Sequence, residues 1–402
     1  MSETEKAGGK MSKEEMRRLI RSAVEKEEKN IVSFLGELVE QNTFTQNIEG
    51  INRMAEVLTG AMPVSFVHET NDINPDYAPH HIFTQKVKNK KALILAGHMD
   101  TLWEPENSFR KMVQTKDRLT GPAVFDMKGG LAVIVWTLKI LEKCGLLEGL
   151  PITVLFNSDE EVGSVSSQDK YPGLAGNVSA ALVYEGSEPR GAGGTIVVKR
   201  IGIANFKLEV TGASAHSGLF AGEKSSAILE LSKRIPWLES FNVDRNRLTV
   251  NVGKINGGVA NNVIPDRAEC TFEIRFWKHE YLHEAVETIN KGISAPLLPG
   301  CRLKLSETNR AMPPLDSEKT DELFEIVQKT AGEIGQKVVP QGRNGGSDAS
   351  WFNAAGIPSI DGLGPTGGEG RTKNEYIFTK TLLDRIELSA NLLLLPDLYT
   401  FS

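Results

Sequence analysis

The chain has little of several features that would define its class directly. It contains three cysteines in 402 residues, few, scattered and odd in number, which fits a reducing compartment with no disulfide framework. Its formal net charge is −6, so no basic surface points to nucleic acid or to an anionic membrane. No apolar run is long enough to span a bilayer, and residues 1–18 lack an apolar signal-peptide core. These absences predict a soluble cytoplasmic protein without nucleic-acid or membrane partners.

What the chain does contain is an alternation of strands and helices. Apolar runs predict buried strands at residues 91–95, 152–156 and 180–184, and residues 129–143 predict a long buried helix. Residues 1 to about 12 are predicted to be a disordered leader, and the polar stretch 71–81 is predicted to be a loop. Strands that alternate with helices predict an open α/β sheet, and the length allows two or three domains.

The pattern changes at about residue 202. From there to residue 309 the chain predicts the order strand, helix, strand, strand, helix, strand, which is the βαββαβ order of a ferredoxin-like unit. Long helices resume afterwards. The simplest account is an α/β domain of residues 1–201 and 310–402, interrupted by an inserted domain of residues 202–309.

Groups that can bind a metal follow the predicted strands or lie in glycine-rich turns. Open α/β sheets bind their ligands at the ends of strands. In any one stretch an acidic residue is more often simply solvated, but so many stretches in this order favour a site. The groups are His98 with Asp100, Asp126, the adjacent Glu160 and Glu161, and Glu185.

The residue types suit metal-assisted hydrolysis. The His98 imidazole can hold a metal while a nearby carboxylate selects its tautomer. A carboxylate such as that of Asp126, with one oxygen toward each of two ions, would give a two-metal site. The adjacent Glu160 and Glu161 suit a division in which one binds metal and the other takes a proton from water.

Three of these stretches carry a specific resemblance. Residues 97–101 (GHMDT), 126–130 (DMKGG) and 159–164 (DEEVGS) resemble the signature motifs of one zinc-dependent family. That family comprises glutamate carboxypeptidases, aminoacylases, acetylornithine deacetylases and succinyl-diaminopimelate desuccinylases, and the glutamate carboxypeptidase branch is the most similar. The resemblance covers nearly the whole chain. It implies an α/β fold, with a mixed-sheet zinc-hydrolase catalytic domain and an inserted ferredoxin-like domain that serves for dimerisation or as a lid.

The resemblance also implies a set of metal ligands. His98, Asp126 and Glu185 would hold one zinc ion, and Asp126 would bridge to a second zinc held by Glu161. Cobalt or manganese would substitute for zinc. Glu160 would be the general base.

Further roles are implied for catalysis and for substrate binding. Asp100 would orient the metal-binding histidine, and His216 would reach the partner subunit's site and polarise the scissile carbonyl. Asn262 and Arg275 would contact the substrate carboxylate, because a planar guanidinium pairs with a carboxylate through two hydrogen bonds. Gly346 lies in a glycine-rich turn that would close the substrate site.

The last part of the chain departs from the family pattern. The family's final zinc ligand is a histidine in a glycine-rich loop shortly before a glutamate. Aligned on the Gly-Pro pair at residues 364–365 and on the Asn-Glu pair at residues 374–375, that position is Arg371. A guanidinium has no lone pair to donate to a metal. The chain has seven histidines, and none lies beyond His283 to replace it.

Three consequences are open. Arg371 pairs with Glu161 and takes the place of the second zinc, or Glu369 supplies an oxygen ligand and both metals bind, or metal binding is lost. One metal with an open coordination position can still lower the pKa of water to near 7.

The chemistry that is present favours activity. We predict a homodimeric, zinc-dependent hydrolase that cleaves an amide bond next to a free carboxylate, in a small peptide or an N-acyl amino acid. Arg371 would then also belong to the substrate site. The alternative is a non-catalytic or single-metal relative that binds a carboxylate ligand.

Overall fold

The computed structural model describes residues 11–72, 74–191, 193–219 and 222–401. The predicted leader at residues 1–12 therefore lies almost entirely outside the described residues. Within the described part, no helix combines the length and the apolar content needed to cross a membrane. The three cysteines are all free thiols.

Helices and strands both occur throughout the described chain. The α-helices, in chain order, are α1 (Lys13–Glu40), α2 (Ile48–Ala61), α3 (Gly129–Lys143), α4 (Tyr171–Leu174), α5 (Ala227–Glu239), α6 (His279–Ile293), α7 (Glu318–Glu333), α8 (Asp348–Ala354), α9 (Thr379–Leu393) and α10 (Pro396–Tyr399). The strands are β1 (Val67–Asn71), β2 (His80–Gln85), β3 (Ala92–His98), β4 (Val113–Gln114), β5 (Arg118–Thr120), β6 (Ile152–Asn157), β7 (Val178–Val183), β8 (Thr195–Arg200), β9 (Gly202–Thr211), β10 (Ala215–His216), β11 (Leu248–Gly257), β12 (Val263–Ile264), β13 (Arg267–Phe276), β14 (Arg302–Glu307), β15 (Val339–Arg343), β16 (Ser359–Ile360), β17 (Gly367–Gly368) and β18 (Tyr376–Phe378).

The described chain divides into two compact units. The first comprises Met1–Val198, Ser317–Gln341 and Ala355–Ser402, within the described residues, and the second comprises Lys199–Asp316 and Gly342–Ala354.

The first unit is built on a six-stranded mixed sheet in the order β1-β2-β6-β3-β7-β16. Strands β6, β3, β7 and β16 run parallel, whereas β2 pairs antiparallel with both of its neighbours, β1 and β6. Helix α3 is almost wholly buried and packs against α1 and α9. Its apolar sequence explains this burial, because a helix that is apolar on all sides belongs inside a core.

The prediction of a loop over residues 71–81 is wrong at its C-terminal end. His80 and His81 begin strand β2, which pairs with the central strand β6, and both side chains are buried. His80 Nε2 lies 2.9 Å from Ser166 Oγ, and His81 Nδ1 lies 2.9 Å from His68 Nε2. Because buried polar atoms need partners, these long-range hydrogen bonds are what allow two histidines to occupy a core strand.

The second unit has the predicted βαββαβ order. Its four strands form an antiparallel sheet in the order β11-β13-β9-β14, and α5 and α6 pack against the sheet. Along β9 and β13 every second residue is buried, as expected for a sheet with one covered face. The ferredoxin-like arrangement is therefore confirmed.

The boundaries of the second unit differ from the predicted residues 202–309, because it also includes Gly342–Ala354. The buried Arg200 guanidinium donates to the carbonyl oxygens of Gly345 and Gly346, at 2.9 and 2.8 Å. Arg275 donates to the carbonyl oxygen of Asn344. These long-range hydrogen bonds attach the segment to the second unit.

Candidate metal centre

The site in the first unit is assembled by three neighbouring parallel strands. His98 is the last residue of β3, Glu160 follows β6 after two residues, and Glu185 follows β7 after one. Strand β3 pairs in parallel with both β6 and β7. Because the carboxyl ends of parallel strands lie at one edge of a sheet, these three side chains come together there.

Three carboxylates surround the Nε2 atom of His98. That atom lies 3.4 Å from Asp126 Oδ1, 3.4 Å from Glu185 Oε1 and 3.9 Å from Glu160 Oε2. His98 is only 1% exposed, and its Nε2 has no hydrogen-bond partner. His98, Glu160 and Glu185 each offer a ligand atom, and these atoms lie within 4.8 Å of one another. A buried imidazole nitrogen among carboxylate oxygens is a donor set that fits a divalent metal ion.

The pKa values in the cluster also reflect its concentration of negative charge, which a cation would compensate. Burial on its own lowers the pKa of His98, but the Glu185 carboxylate, with Asp100 and Asp126, raises this pKa well above its ordinary value. Burial, reinforced by the neighbouring Asp126, raises the pKa of Glu161 to about 8. Nearby carboxylates stabilise the charged form of an imidazole, whereas burial and a neighbouring carboxylate both disfavour the charged form of Glu161.

Asp100 holds the histidine and the two glutamates in one arrangement. Its carbonyl oxygen accepts a hydrogen bond from His98 Nδ1 at 2.9 Å, while its carboxylate lies 3.4 Å from the same nitrogen. The carboxylate accepts the backbone N–H groups of Glu160 and Glu161, at 3.2 and 3.1 Å, and the Thr45 hydroxyl at 3.0 Å. The histidine is thus oriented mainly through the backbone of Asp100, and the side chain positions the following turn.

Arg371 lies against the other side of the cluster. Its Nη2 is 2.7 Å from Glu161 Oε2, and its Nε is 3.5 Å from Asp126 Oδ2. The Glu161 side chain is only 2% exposed, so this is a pairing of a buried carboxylate with a guanidinium. The pairing of Arg371 with Glu161, which the first of the three consequences predicts, is therefore present.

Glu375 is a further residue of this site, and the sequence alone assigns no role to it. It is fully buried, and its Oε1 accepts the backbone N–H groups of Phe125 and Asp126, at 3.0 and 3.1 Å. Its Oε2 accepts Trp103 Nε1 at 3.2 Å and the Arg371 N–H at 3.3 Å. Burial, with a contribution from Asp126, raises its pKa to about 7. The one feature of the sequence that points to Glu375 is its place directly after the glycine-rich loop.

Asp159 supports the glutamate turn from the opposite direction. Its carboxylate is fully buried and accepts hydrogen bonds from the backbone and hydroxyl groups of both Ser166 and Ser167. Asp159 directly precedes Glu160, so these four hydrogen bonds fix the start of the turn that carries the glutamates. The sequence identifies Asp159 as part of a motif, but it does not indicate that the Asp159 side chain holds the turn in place.

The second unit brings His216 and Asn262 together. Strand β10, which ends at His216, pairs with β12, and Ser217 N donates to the carbonyl oxygen of Asn262 at 2.9 Å. The His216 side chain is exposed, and its Nδ1 accepts the Gly218 N–H at 3.1 Å. Because Nδ1 accepts, the neutral ring carries its proton on Nε2.

Arg275 and Gly346 also lie in the second unit. The Arg275 side chain pairs with Glu273 at 2.5 Å, and its hydrogen bond to Asn344 connects it to the turn that contains Gly346. A Cβ atom at Gly346 would lie 1.7 Å from Met312 Sδ, so a larger residue there would have to displace the Met312 side chain.

Comparison with known proteins identifies the family. The chain belongs to peptidase family M20/M25/M40, whose family model matches residues 94–395. It is 28% identical to carboxypeptidase G2 of Pseudomonas sp. (strain RS-16) over 380 residues, which are 92% of this chain and 89% of that protein. It is also 28% identical to succinyl-diaminopimelate desuccinylase of Corynebacterium glutamicum over 284 residues, 67% of this chain and 72% of that protein.

Solved structures share the fold at low sequence identity. Aminopeptidase PepT from Bacillus cereus matches with a TM-score of 0.71 and 22% identity, over 91% of this chain and 98% of that one. The YXEP protein of Bacillus subtilis, described as a dinuclear metal binding peptidase, matches with a TM-score of 0.66 and 17% identity, over 93% of this chain and 99% of that one. Together with the family membership, the site defines a metal-dependent amide hydrolase of the metallopeptidase class, as the sequence predicted.

Proposed function

We propose that this protein hydrolyses an amide bond next to a free carboxylate, in a small peptide or an N-acyl amino acid, and that His98, Asp126 and Glu185 hold a zinc ion for this reaction. The observation that carries the proposal is the buried His98 Nε2, which has three carboxylate oxygens within 3.9 Å and no hydrogen-bond partner. A histidine with carboxylates suits zinc, and cobalt or manganese would substitute.

Glu160 is the proposed general base. A divalent ion bound beside it supplies polarisation of the substrate carbonyl and lowers the pKa of water. Glu160 has its Oε2 3.9 Å from His98 Nε2 and its backbone held by Asp100, so its carboxylate is positioned at the edge of the metal-binding group. It would take the proton from the attacking water and return it to the leaving amine.

Residues of the second unit are proposed to bind the substrate. Arg275, with 37% of its side chain exposed, offers guanidinium donors to the substrate carboxylate, and Asn262 and Gly346 would complete this contact. His216 would donate from Nε2 to the oxyanion that develops during attack, because its Nδ1 is already an acceptor. Arg371 would contribute a further donor to the substrate.

We also propose a homodimer that forms through the second unit, in the cytoplasm. The outer strand β11 supports the dimer, because its C-terminal half is exposed, with Ile255 60% exposed and the nearby Val259 86% exposed. Exposed apolar residues on an edge strand are typical of an interface. The three free thiols are consistent with a reducing compartment. Sedimentation equilibrium would test the dimer directly.

The experiment that tests the function uses the zinc-loaded protein. N-acyl amino acids, dipeptides and C-terminal glutamate conjugates would be compared with the same compounds in which the carboxylate is capped as an amide. Hydrolysis of the free acids alone, lost on chelation and restored by zinc, is expected. Equal hydrolysis of the capped compounds would contradict the carboxylate requirement. An inert metal-loaded protein that still binds the acids would instead support the non-catalytic alternative.

A further inference from the structure

The two oxygens of the Asp126 carboxylate face different groups. Its Oδ1 lies 3.4 Å from His98 Nε2, within the metal-binding group, whereas its Oδ2 lies 3.5 Å from Arg371 Nε. Glu161, on the same side as the arginine, binds Arg371 Nη2 at 2.7 Å. The two carboxylates that would hold a second metal ion are therefore both directed at one guanidinium.

We infer that the Arg371 guanidinium takes the place of a second metal ion, so that each chain binds a single ion at His98, Asp126 and Glu185. This inference rests on the proposed function, because that proposal is what places an ion at His98, Asp126 and Glu185. The arginine is a covalently attached cation that cannot be lost by dilution or chelation and that stays protonated throughout the working pH range.

The conformation of the loop around Arg371 positions this side chain. The backbone N–H of Arg371 donates to the Glu375 carboxylate, which also accepts the backbone N–H of Asp126. Arg371 and Glu369 both have positive φ angles, of 67° and 56°, which non-glycine residues adopt at an energetic cost. A strained loop that is tied to the Asp126 turn through a buried carboxylate places the guanidinium beside Glu161.

The described residues contain no substitute ligand that would restore a second metal. Among the described residues, one group of His, Cys, Asp and Glu side chains has ligand atoms that converge, and it consists of His98, Glu160 and Glu185. Asp126, Glu161 and Glu369 all lie outside it, so no second converging group forms around Glu161. A divalent ion placed between Asp126 and Glu161 would meet the positive charge of Arg371 at close range, and like charges at such distances repel strongly.

The exchange of an ion for a guanidinium also changes how the site binds oxygen. More than half of the Arg371 side chain is exposed, at 58%. A guanidinium binds a carboxylate or a carbonyl oxygen through directed N–H donors, whereas a metal ion binds it by coordination. At this position the substrate class is therefore one that offers an anionic or carbonyl oxygen to a hydrogen-bond donor.

The test is the metal content per chain. Wild-type protein purified without chelator, and again after zinc reloading and removal of excess metal, would be measured by elemental analysis, and zinc binding would be titrated by calorimetry. One ion per chain is expected. Arg371→His supplies an imidazole at the same position and is expected to raise the content to two. Arg371→Lys is the matched control, because it keeps the positive charge, and it is expected to bind one.

The outcomes separate this inference from the proposed function. Two ions in the wild type would overturn the inference and leave the function standing. A wild type that binds no ion would overturn the proposed function and the inference together. If folded Arg371→His, checked by its circular dichroism spectrum, stayed at one ion, the arginine would not be what excludes the second metal. The wild-type measurement decides the matter even if that variant does not fold.

Discussion

The acidic site has two halves that differ in how their negative charge is compensated. In the histidine half, formed by His98, Asp126 and Glu185, oxygen atoms surround a ring nitrogen that has no hydrogen-bond partner. In the arginine half, formed by Glu161 and Arg371, the buried carboxylate is already paired at 2.7 Å. In our proposal the first half binds an exchangeable ion, whereas the guanidinium of Arg371 supplies the cation of the second.

On this proposal, the fold supplies a cation in two ways: as a bound ion in one half and as an arginine side chain in the other. Asp126 contributes one oxygen to each half, and Glu375 holds the backbone of both Asp126 and Arg371. The supporting residues are therefore shared, and only the nature of the cation differs. We therefore expect added metal to affect activity through the histidine half alone. Substitutions in and around the two halves can test this expectation.

The largest expected effect is on turnover. Glu160→Gln removes the proposed base but keeps the size of the side chain, so kcat of the zinc-loaded protein should fall by roughly 10²–10⁴-fold. Steady-state kinetics would measure this, with zinc content determined in parallel. Glu142→Gln, an exposed glutamate at the end of α3, is the matched control and should keep wild-type turnover. Turnover of Glu160→Gln near that of the control would remove Glu160 from the role of base.

The next effect is the metal dependence of stability. Because an ion that binds only the folded state stabilises it, zinc at 100 times its Kd should raise the free energy of unfolding by about 2.7 kcal/mol. Urea unfolding with and without zinc would measure the difference. His98→Ala should abolish it, whereas His283→Ala, an exposed histidine of α6, should not. A zinc effect that survives in His98→Ala would place the ion elsewhere.

A smaller effect is expected at the residue that supports both halves. Glu375→Gln puts an amide NH₂ against backbone donors, so it should cost about 1–3 kcal/mol of unfolding free energy. It should also weaken zinc binding by roughly 10–100-fold, as loss of a supporting hydrogen bond does. Chemical denaturation and zinc calorimetry would measure these quantities. Glu369→Gln, in the same loop, is the control; if it weakened zinc binding as much, Glu369 would be a ligand after all.

The smallest effect is expected at Thr45, whose hydroxyl donates to the Asp100 carboxylate. Thr45→Val has nearly the same shape and removes one hydrogen bond to a charged group, so about 1.5 kcal/mol of unfolding free energy should be lost. Because Asp100 positions both Glu160 and Glu161, zinc affinity and turnover should decline together. Thr70→Val, at an exposed position of β1, should change neither.

Local patterns predicted much of the fold. The bounds of α3 agree with the predicted residues 129–143, because an apolar pattern over a long element is a local property of the chain. Strand β2 begins where the polar pattern predicts a loop, since a segment that starts with two histidines has no apolar pattern. Its place in the core depends on partners such as Ser166 that lie far away in the chain.

The site was predictable in its residue types but not in its connections. The strand ends pointed to His98, Glu160 and Glu185, because topology places such ends together. The role of Glu375 could not be predicted, since it binds backbone N–H groups of Phe125 and Asp126, which are 250 and 249 positions earlier in the chain.

The sequence by itself determined that no imidazole is available beyond His283 and that the residue at the expected ligand position is an arginine. Side-chain chemistry alone excludes Arg371 as a metal ligand, because a guanidinium has no free lone pair. Only the tertiary structure decided what the arginine does instead. Its guanidinium pairs with Glu161, 210 residues away in the chain, and lies near Asp126. It does so because the buried Glu375 connects the strained loop that carries Arg371 to the Asp126 turn. Charge is a property of one residue, but its compensation depends on which residues the fold brings together.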